Sequence, residues 1–309
     1  MPLLRRQQIA LLETIILAAA VAWFLWACLS AENRLNFGAL QDDAYISMRY
    51  AANLAAGHGL VFNPGERVEG YTNFLWTLLI TPAYLMGWHA ESWVKSLGAL
   101  SGAGLVVGCF YLGRQLLGSL AGMVLAIGLA LDTRLPVFAT RGMEAVFFAM
   151  LTCWAFWLVF RGRAVFGGIV FAMAAMTRMD AILLAGTAGL YLLATAIGPT
   201  VVGRRWYELR RPWRMLAPPL GFAAAFGAVF GTFFLGRLLY YGYLFPNTFY
   251  VKVGTPANSI GRGLAYLQGS LRNMGLLELV ATAAAVLAVV LAAALLRIGI
   301  RGRGAAAVV

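Results

Sequence analysis

Two adjacent carboxylates, Asp42 and Asp43, are the side chains of this chain best suited to chemistry, and they follow soon after its first long apolar stretch. Repulsion between neighbouring carboxylates is costly unless a cation, a shared proton or a substrate offsets it. A positioned carboxylate can also take the proton of an attacking hydroxyl group. We expect Asp42 to be a general base and Asp43 to assist it. The alternative is structural, because aspartate is also a preferred helix N-cap.

The residues after the pair predict a short helix that lies along a membrane surface. Apolar residues recur at helical spacing between Asp43 and Ala56, and Gly57 is a typical helix stop. Asn63, Pro64 and Gly65 then predict a tight turn that brings the following carboxylates back toward the helix.

The composition indicates an all-α, polytopic membrane protein. Hydrophobic residues make up 61% of the chain and charged residues only 12%, and apolar runs reach the roughly 20 residues that a helix needs to cross a bilayer. Backbone groups in lipid must be satisfied within the protein, which favours helices. The net charge of +12 comes from arginines between apolar runs, so we expect no nucleic-acid binding. Residues 1–309 are expected to form a single transmembrane domain.

Arginine clusters predict the topology, because positively charged loops stay in the cytoplasm. Arg5 and Arg6 precede the first span, residues 9–29, which places the N-terminus inside and the acidic pair outside. Later clusters predict two hairpins, a span that rises to the outer face and a span that returns: 119–160, 164–198, 216–240 and 275–296.

The stretches 71–87 and 94–113 cannot both cross if Arg114 is inside. We expect the shorter one, with Pro82 and Gly87 breaking it, to be re-entrant. The expected outer loops are 30–70 and 241–274. Most acidic residues then lie toward the outer face: Glu32, Asp42, Asp43, Glu66, Glu69, Glu91, Asp132, Glu144 and Asp180. Of these, Glu144 starts a span and is expected to be a carboxylate stabilised by the helix dipole.

Four segments resemble the GT-C superfamily of membrane glycosyltransferases, and most closely its bacterial terminal β-1,2-arabinofuranosyltransferase group. They are DDAYISMRYAANLAAGHGLVFNPGERVEGYTNFLW (42–76), TRGMEAVFFA (140–149), MTRMDAILL (176–184) and YYGYLFPNTFYVKVG (240–254). The resemblance implies a GT-C-like helical bundle in the bacterial inner membrane with its site on the extracytoplasmic face. It also implies transfer of a sugar from a polyprenyl-phosphate carrier to an envelope glycan or glycolipid. The family's acidic residue at the start of the first outer loop corresponds here to Asp42 and Asp43.

A departing lipid phosphate calls for cationic and polar groups at the outer boundary. The candidates for binding this phosphate or the donor are Arg49, Lys95, Arg178, Asn247, Tyr250 and Lys252. Several have alternative roles. Arg49 could pair with Glu66, Arg178 could pair with Asp180, and the two lysines could extend to the interface. The tyrosines from Tyr240 to Tyr250 could form an interfacial belt.

A divalent cation is a further expectation. Asp43 and Glu69 could hold Mg²⁺, Mn²⁺ or Ca²⁺ through oxygen ligands, although Glu69 could also be a solvated loop charge. Members of the superfamily differ in whether they need a metal.

Two other functions remain open. A transporter or flippase for a lipid-linked saccharide would also place charges outward, but it would predict two related halves with paired discontinuous helices. A non-catalytic homologue would keep the fold and lose the base. The chain ends at GRGAAAVV, soon after its last apolar stretch, whereas members of the family usually continue into further spans and a soluble outer domain.

Overall fold

The computed structural model describes residues 2–34, 40–201, 213–252 and 256–273, and every regular element in these ranges is a helix. The prediction of an all-α fold is confirmed. The chain divides into two compact units, residues 1–248 and 249–309. The helices are α1 Pro2–Arg34, α2 Asp42–Ala55, α3 Phe74–Leu85, α4 Ala90–Leu117, α5 Ser119–Leu131, α6 Arg134–Thr140, α7 Ala145–Phe160, α8 Ala164–Thr177, α9 Ala181–Val201, α10 Trp213–Tyr241, α11 Asn247–Lys252 and α12 Pro256–Asn273.

The protein is a multi-pass membrane protein. Within the described ranges, three helical segments are long and apolar enough to cross a bilayer: Gln7–Ser30, Ala90–Leu117 and Met215–Tyr241. The pair α5 and α6, bent by 67° at its break, gives a fourth when it is counted as one span. The predicted span 275–296 and the prediction of one domain over 1–309 extend beyond the described residues.

The two predicted hairpins, 119–160 and 164–198, each contain a reversal of the chain. The chain reverses between α5 and α7 at residues 132–144, and between α8 and α9 at residues 178–180. At 1.5 Å per residue, however, α7 (16 residues) is about 24 Å long and α8 (14 residues) about 21 Å. Both are shorter than the roughly 30 Å of hydrocarbon in a typical bilayer.

The predicted surface helix is α2. It ends just before Gly57, whose φ is 81°. Its buried face includes Ala44, Met48 and Ala51, at positions i, i+4 and i+7 of a helix. Tyr45, which belongs to the same apolar spacing, is exposed, and its hydroxyl donates to Glu91 Oε1 at 3.0 Å. The helix therefore packs on protein through small and large residues alike, including the fully buried Tyr50, and Tyr45 lies outside this face.

The stretch 71–87, whose re-entrant path stays a prediction, contains a short helix, α3. Its 12 residues are about 18 Å long. Pro82 lies inside the helix, so the predicted break at this residue is wrong. The helix ends at Leu85, and Gly87 turns the chain with a φ of 67°. The Trp93 indole N–H, in the first turn of α4, donates to the Leu79 carbonyl at 2.8 Å.

The bundle has two chemically different ends. We call one the acidic end: it is formed by α2, α3 and the turns 141–144 and 178–180. The opposite end carries Arg114, Arg161 and Arg163, and there Arg114 binds the buried carboxylate of Glu13 on α1 at 2.8 Å. This separation of charge agrees with the predicted topology, in which the arginines face the cytoplasm.

Glycines allow α4 to approach its neighbours closely. A β-carbon at Gly98 would overlap the carbonyl oxygen of Ala139 in α6, and one at Gly102 would overlap the ring of Phe24 in α1. These contacts bring the start of α4 against α6 and α1, and so position the acidic end.

We expect Gly98→Ala to lower the free energy of unfolding by about 1–3 kcal/mol, because the added methyl group pushes α4 away from a backbone carbonyl. The matched control is Gly128→Ala in α5, where a β-carbon meets nothing within 4 Å. That substitution should stabilise the helix by up to about 1 kcal/mol. Thermal unfolding in detergent measures both, and equal midpoints would contradict the close contact.

Candidate functional site

Asp42 and Asp43 lie exposed in the first turn of α2, at the acidic end. The N-cap residue is Gln41, whose side chain makes no capping bond, so the alternative role of Asp42 as the cap is wrong. The Gln41 N–H donates to the Arg141 carbonyl at 3.0 Å. A contact with a distant segment thus fixes the start of α2, and both carboxylates remain near the helix N-terminus, where the dipole favours negative charge.

The two aspartates point to different sides of α2. Residues four apart share one side of a helix, and successive residues turn by about 100°. Asp43 therefore shares its side with Ser47, which is buried against Asn73. Asp42 shares its side with the half-buried Ile46. Of the pair, Asp43 stands closer to the side of α2 that makes polar contacts with the rest of the bundle.

A chain of hydrogen bonds runs from this side of α2 to the turn between α8 and α9. The Ser47 hydroxyl donates to Asn73 Oδ1 at 3.0 Å, and Asn73 Nδ2 donates to Glu144 Oε2 at 2.9 Å. Arg178 Nη1 donates to Glu144 Oε1 at 2.9 Å. We call Ser47, Asn73, Glu144 and Arg178 the polar chain. Glu144 is more than the dipole-stabilised carboxylate that the sequence suggests, because its buried side chain joins three segments.

Arg178 has a second carboxylate partner at the end of this chain. Its Nε and Nη2 atoms donate to Asp180 Oδ2 at 3.3 and 3.1 Å, which confirms the pairing considered from the sequence. The Arg178 side chain is 43% exposed and that of Asp180 69%. Arg178 is thus anchored on one edge by a buried carboxylate, and on the other edge it meets an exposed one.

A buried ion pair fixes the loop that follows α2. Arg237 Nε donates to Glu69 Oε1 at 2.8 Å, and Nη2 lies 2.6 Å from Oε2. Arg237 Nη1 also donates to the Leu244 carbonyl, and the Asn247 N–H donates to the Glu69 carbonyl. The loop is therefore tied both to the end of α10 and to the turn after it.

The Glu69 carboxylate does not fit the predicted role of a metal ligand. Burial raises its pKa, although the Arg237 guanidinium acts in the opposite direction, and each of its oxygens already contacts that cation. Among the described residues, no group of three or more His, Cys, Asp or Glu side chains is placed to hold a metal ion. The predicted cation of Asp43 and Glu69 stays a prediction.

Tyrosines hold the same loop from two directions. Tyr50 of α2 donates to the Val68 carbonyl at 2.7 Å and accepts from the Gly70 N–H at 2.8 Å. Tyr241 at the end of α10 donates to the Leu60 carbonyl at 2.7 Å. Tyr241 is buried, so its predicted place in an interfacial belt is wrong.

The other predicted binding residues are spread over several elements. Arg49 Nε donates to the Phe62 carbonyl at 3.2 Å, in place of the alternative pair with Glu66, whose carboxylate accepts from Asn63. The remaining candidates are Lys95, half-buried in α4, Asn247, exposed at the start of α11, Tyr250, exposed in α11, and Lys252, the last residue of α11, whose side chain lies outside the described residues. Their predicted roles remain predictions.

Sequence reasoning missed Asn73 and Arg237. Arg237 had a signal, since it is the single charged residue in the apolar segment Met215–Tyr241, and such a residue needs a partner. Asn73 had none, because one amide beside a turn is common in any loop.

Comparison with known proteins finds one informative similarity. The chain is 31% identical over 237 residues to the terminal β-(1→2)-arabinofuranosyltransferase of Mycobacterium tuberculosis. The match includes 69% of this chain but 35% of the mycobacterial protein, so the chain spans about a third of that relative's length. No family model matches the chain, and no solved structure matches it.

We expect Glu69→Gln to lower the free energy of unfolding by about 3–5 kcal/mol, because it leaves the buried Arg237 without a counter-ion. Glu66→Gln, three residues earlier and exposed, is the control and should change stability by less than about 0.5 kcal/mol. The thermal midpoints of the purified proteins in detergent measure the difference.

The double variant Glu69→Leu/Arg237→Met removes both charges and should be more stable than Glu69→Leu alone. If Glu69→Gln and Glu66→Gln unfold at the same temperature, the buried pair does not hold the loop.

Proposed function

We propose that the protein is an integral-membrane glycosyltransferase that moves a sugar from a polyprenyl-phosphate carrier to an extracytoplasmic glycan or glycolipid. The observation that carries this proposal is the polar chain, which links the side of α2 that bears Asp43 to the solvent-open Arg178. A base and a phosphate-binding cation are thereby held at one end of the bundle. The similarity to the mycobacterial enzyme supports the reaction class, and makes arabinofuranose the first sugar to test.

The proposed base acts on the acceptor. A sugar hydroxyl is a weak nucleophile, and a carboxylate that takes its proton as the new glycosidic bond forms lowers the barrier. The sequence favoured Asp42 for this role. The helix geometry favours Asp43, because Asp43 lies on the side of Ser47 and the polar chain. Asp42 then contributes negative charge at the mouth of the site.

The proposed cation acts on the leaving group. As the bond between the sugar and the lipid phosphate breaks, negative charge grows on the phosphate oxygens, and a fixed guanidinium stabilises it. Arg178 suits this role because Glu144 holds one of its edges, while the other lies at the solvent against the exposed Asp180. Arg49, Lys95, Asn247, Tyr250 and Lys252 remain candidates for other parts of the donor.

The charge distribution supports an outward-facing site. Arg114, Arg161 and Arg163 lie at the end opposite α2, and positively charged ends stay in the cytoplasm. The acidic end then faces the extracytoplasmic side of a bacterial inner membrane, where a lipid-linked donor and an envelope acceptor would meet.

We expect Asp43→Asn to slow sugar transfer by about 10²–10⁴-fold, the usual contribution of a general base, with little change in donor binding. Asp42→Asn should slow it by less than about tenfold, the effect of a surface charge that does not move the proton. Glu66→Gln, which removes another exposed carboxylate at this end, is the control and should transfer as the wild type does. Membranes supplied with labelled polyprenyl-phosphate sugars, including the arabinofuranosyl donor, measure the rates.

Equal rates for the wild type and both aspartate variants would overturn the assignment of the base. Movement of the labelled lipid across the membrane without transfer would instead favour a transporter.

A further inference from the structure

We propose that Asp180 is an exchangeable counter-ion, which occupies in the empty protein the edge of Arg178 that the donor's lipid phosphate takes on binding. Glu144 keeps its contact with Arg178 in both states. This inference rests on the proposed function, because it names how that site receives its phosphate.

The two carboxylates on Arg178 are held very differently. The Glu144 side chain is 5% exposed, and its second oxygen accepts a hydrogen bond from Asn73. The Asp180 side chain is 69% exposed, and in the described part of the chain its carboxylate bonds only to Arg178. Separating a buried pair leaves an uncompensated charge, whereas an exposed pair contributes little to stability. Exchange therefore occurs at Asp180.

The geometry of the Asp180 contact favours replacement by a phosphate. Nε and Nη2 of Arg178 both donate to the same oxygen, Oδ2. The strongest arrangement pairs each of these donors with its own oxygen in two parallel bonds. A phosphate presents several oxygens and can make both bonds, so it is the better partner for this edge.

Charge gives a second reason for exchange. Arg178, Glu144 and Asp180 together carry one net negative charge, which repels an approaching phosphate. Once Asp180 turns away into water, Arg178 and Glu144 sum to zero and the repulsion falls. Asp180 thus weakens phosphate binding, and its departure removes the excess negative charge from this edge of Arg178.

The test measures binding of polyprenyl phosphate to the full chain in detergent, with polyprenol, which lacks the phosphate, as the second ligand. Asp180→Asn should tighten polyprenyl phosphate binding by about two- to tenfold and leave polyprenol binding unchanged. Asp132→Asn is the matched control, because Asp132 pairs with Arg134 across the same two-residue spacing at the other turn. This control should bind both ligands as the wild type does.

The tighter binding of polyprenyl phosphate by Asp180→Asn should depend on Arg178. The variant Arg178→Gln/Glu144→Gln removes the cation together with its buried partner, and it should bind polyprenyl phosphate more weakly. Adding Asp180→Asn to this variant should produce no further gain. The thermal midpoint of the double variant Arg178→Gln/Glu144→Gln, compared with that of Glu144→Gln alone, shows whether the fold is kept.

Three results would overturn the inference: unchanged or weaker phosphate binding by Asp180→Asn, an equal gain in Asp132→Asn, or no measurable binding of polyprenyl phosphate by Asp180→Asn. The proposed function fails separately. If Asp180→Asn binds the phosphate more tightly but no donor supports transfer, the exchange stands and the transferase proposal does not. If transfer occurs and Asp180→Asn leaves phosphate binding unchanged, the transferase proposal stands and the exchange does not.

Discussion

The acidic end of this protein depends on one buried carboxylate, that of Glu144. A charge removed from water must be paired and hydrogen-bonded, and both oxygens of Glu144 meet this need through Arg178 and Asn73. These partners come from the turn between α8 and α9 and from the residue before α3. Because Asn73 in turn accepts from Ser47, the orientation of α2 and of its acidic pair is set by the requirements of a residue about 100 positions later in the chain.

The need to pair a buried charge also shapes the contact between Glu69 and Arg237. This pair is 168 residues apart in sequence, and it joins the loop after α2 to the end of α10. With the tyrosine bonds to the same loop, it leaves the segment between α2 and α3 fixed on two sides. The acidic end is therefore held together by polar pairs between distant segments, and the bundle beneath it packs through glycine and aromatic contacts. The exposed side chains of Asp43 and Arg178 are attached to this fixed structure.

Local patterns predicted the parts of this structure that local physics decides. Apolar periodicity located α2, and the arginine clusters located the hairpins that reverse at 132–144 and 178–180. Contacts with distant segments decided the rest. The start of α2 is set by Arg141 and not by an aspartate cap, and Pro82 is tolerated inside α3 against the expectation of a break. No spacing rule could have paired Glu144 with Asn73, since partner choice across the bundle is fixed only when the helices pack.

The contact between Glu13 and Arg114 has a consequence for biosynthesis. Glu13 lies buried within the first membrane segment, Gln7–Ser30, while its partner lies near the end of α4. At about 5–20 residues per second, a ribosome makes Arg114 some 5–20 s after Glu13. During this interval the carboxylate of the nascent first helix lacks this partner, so it must take up a proton or stay in a polar environment until α4 arrives.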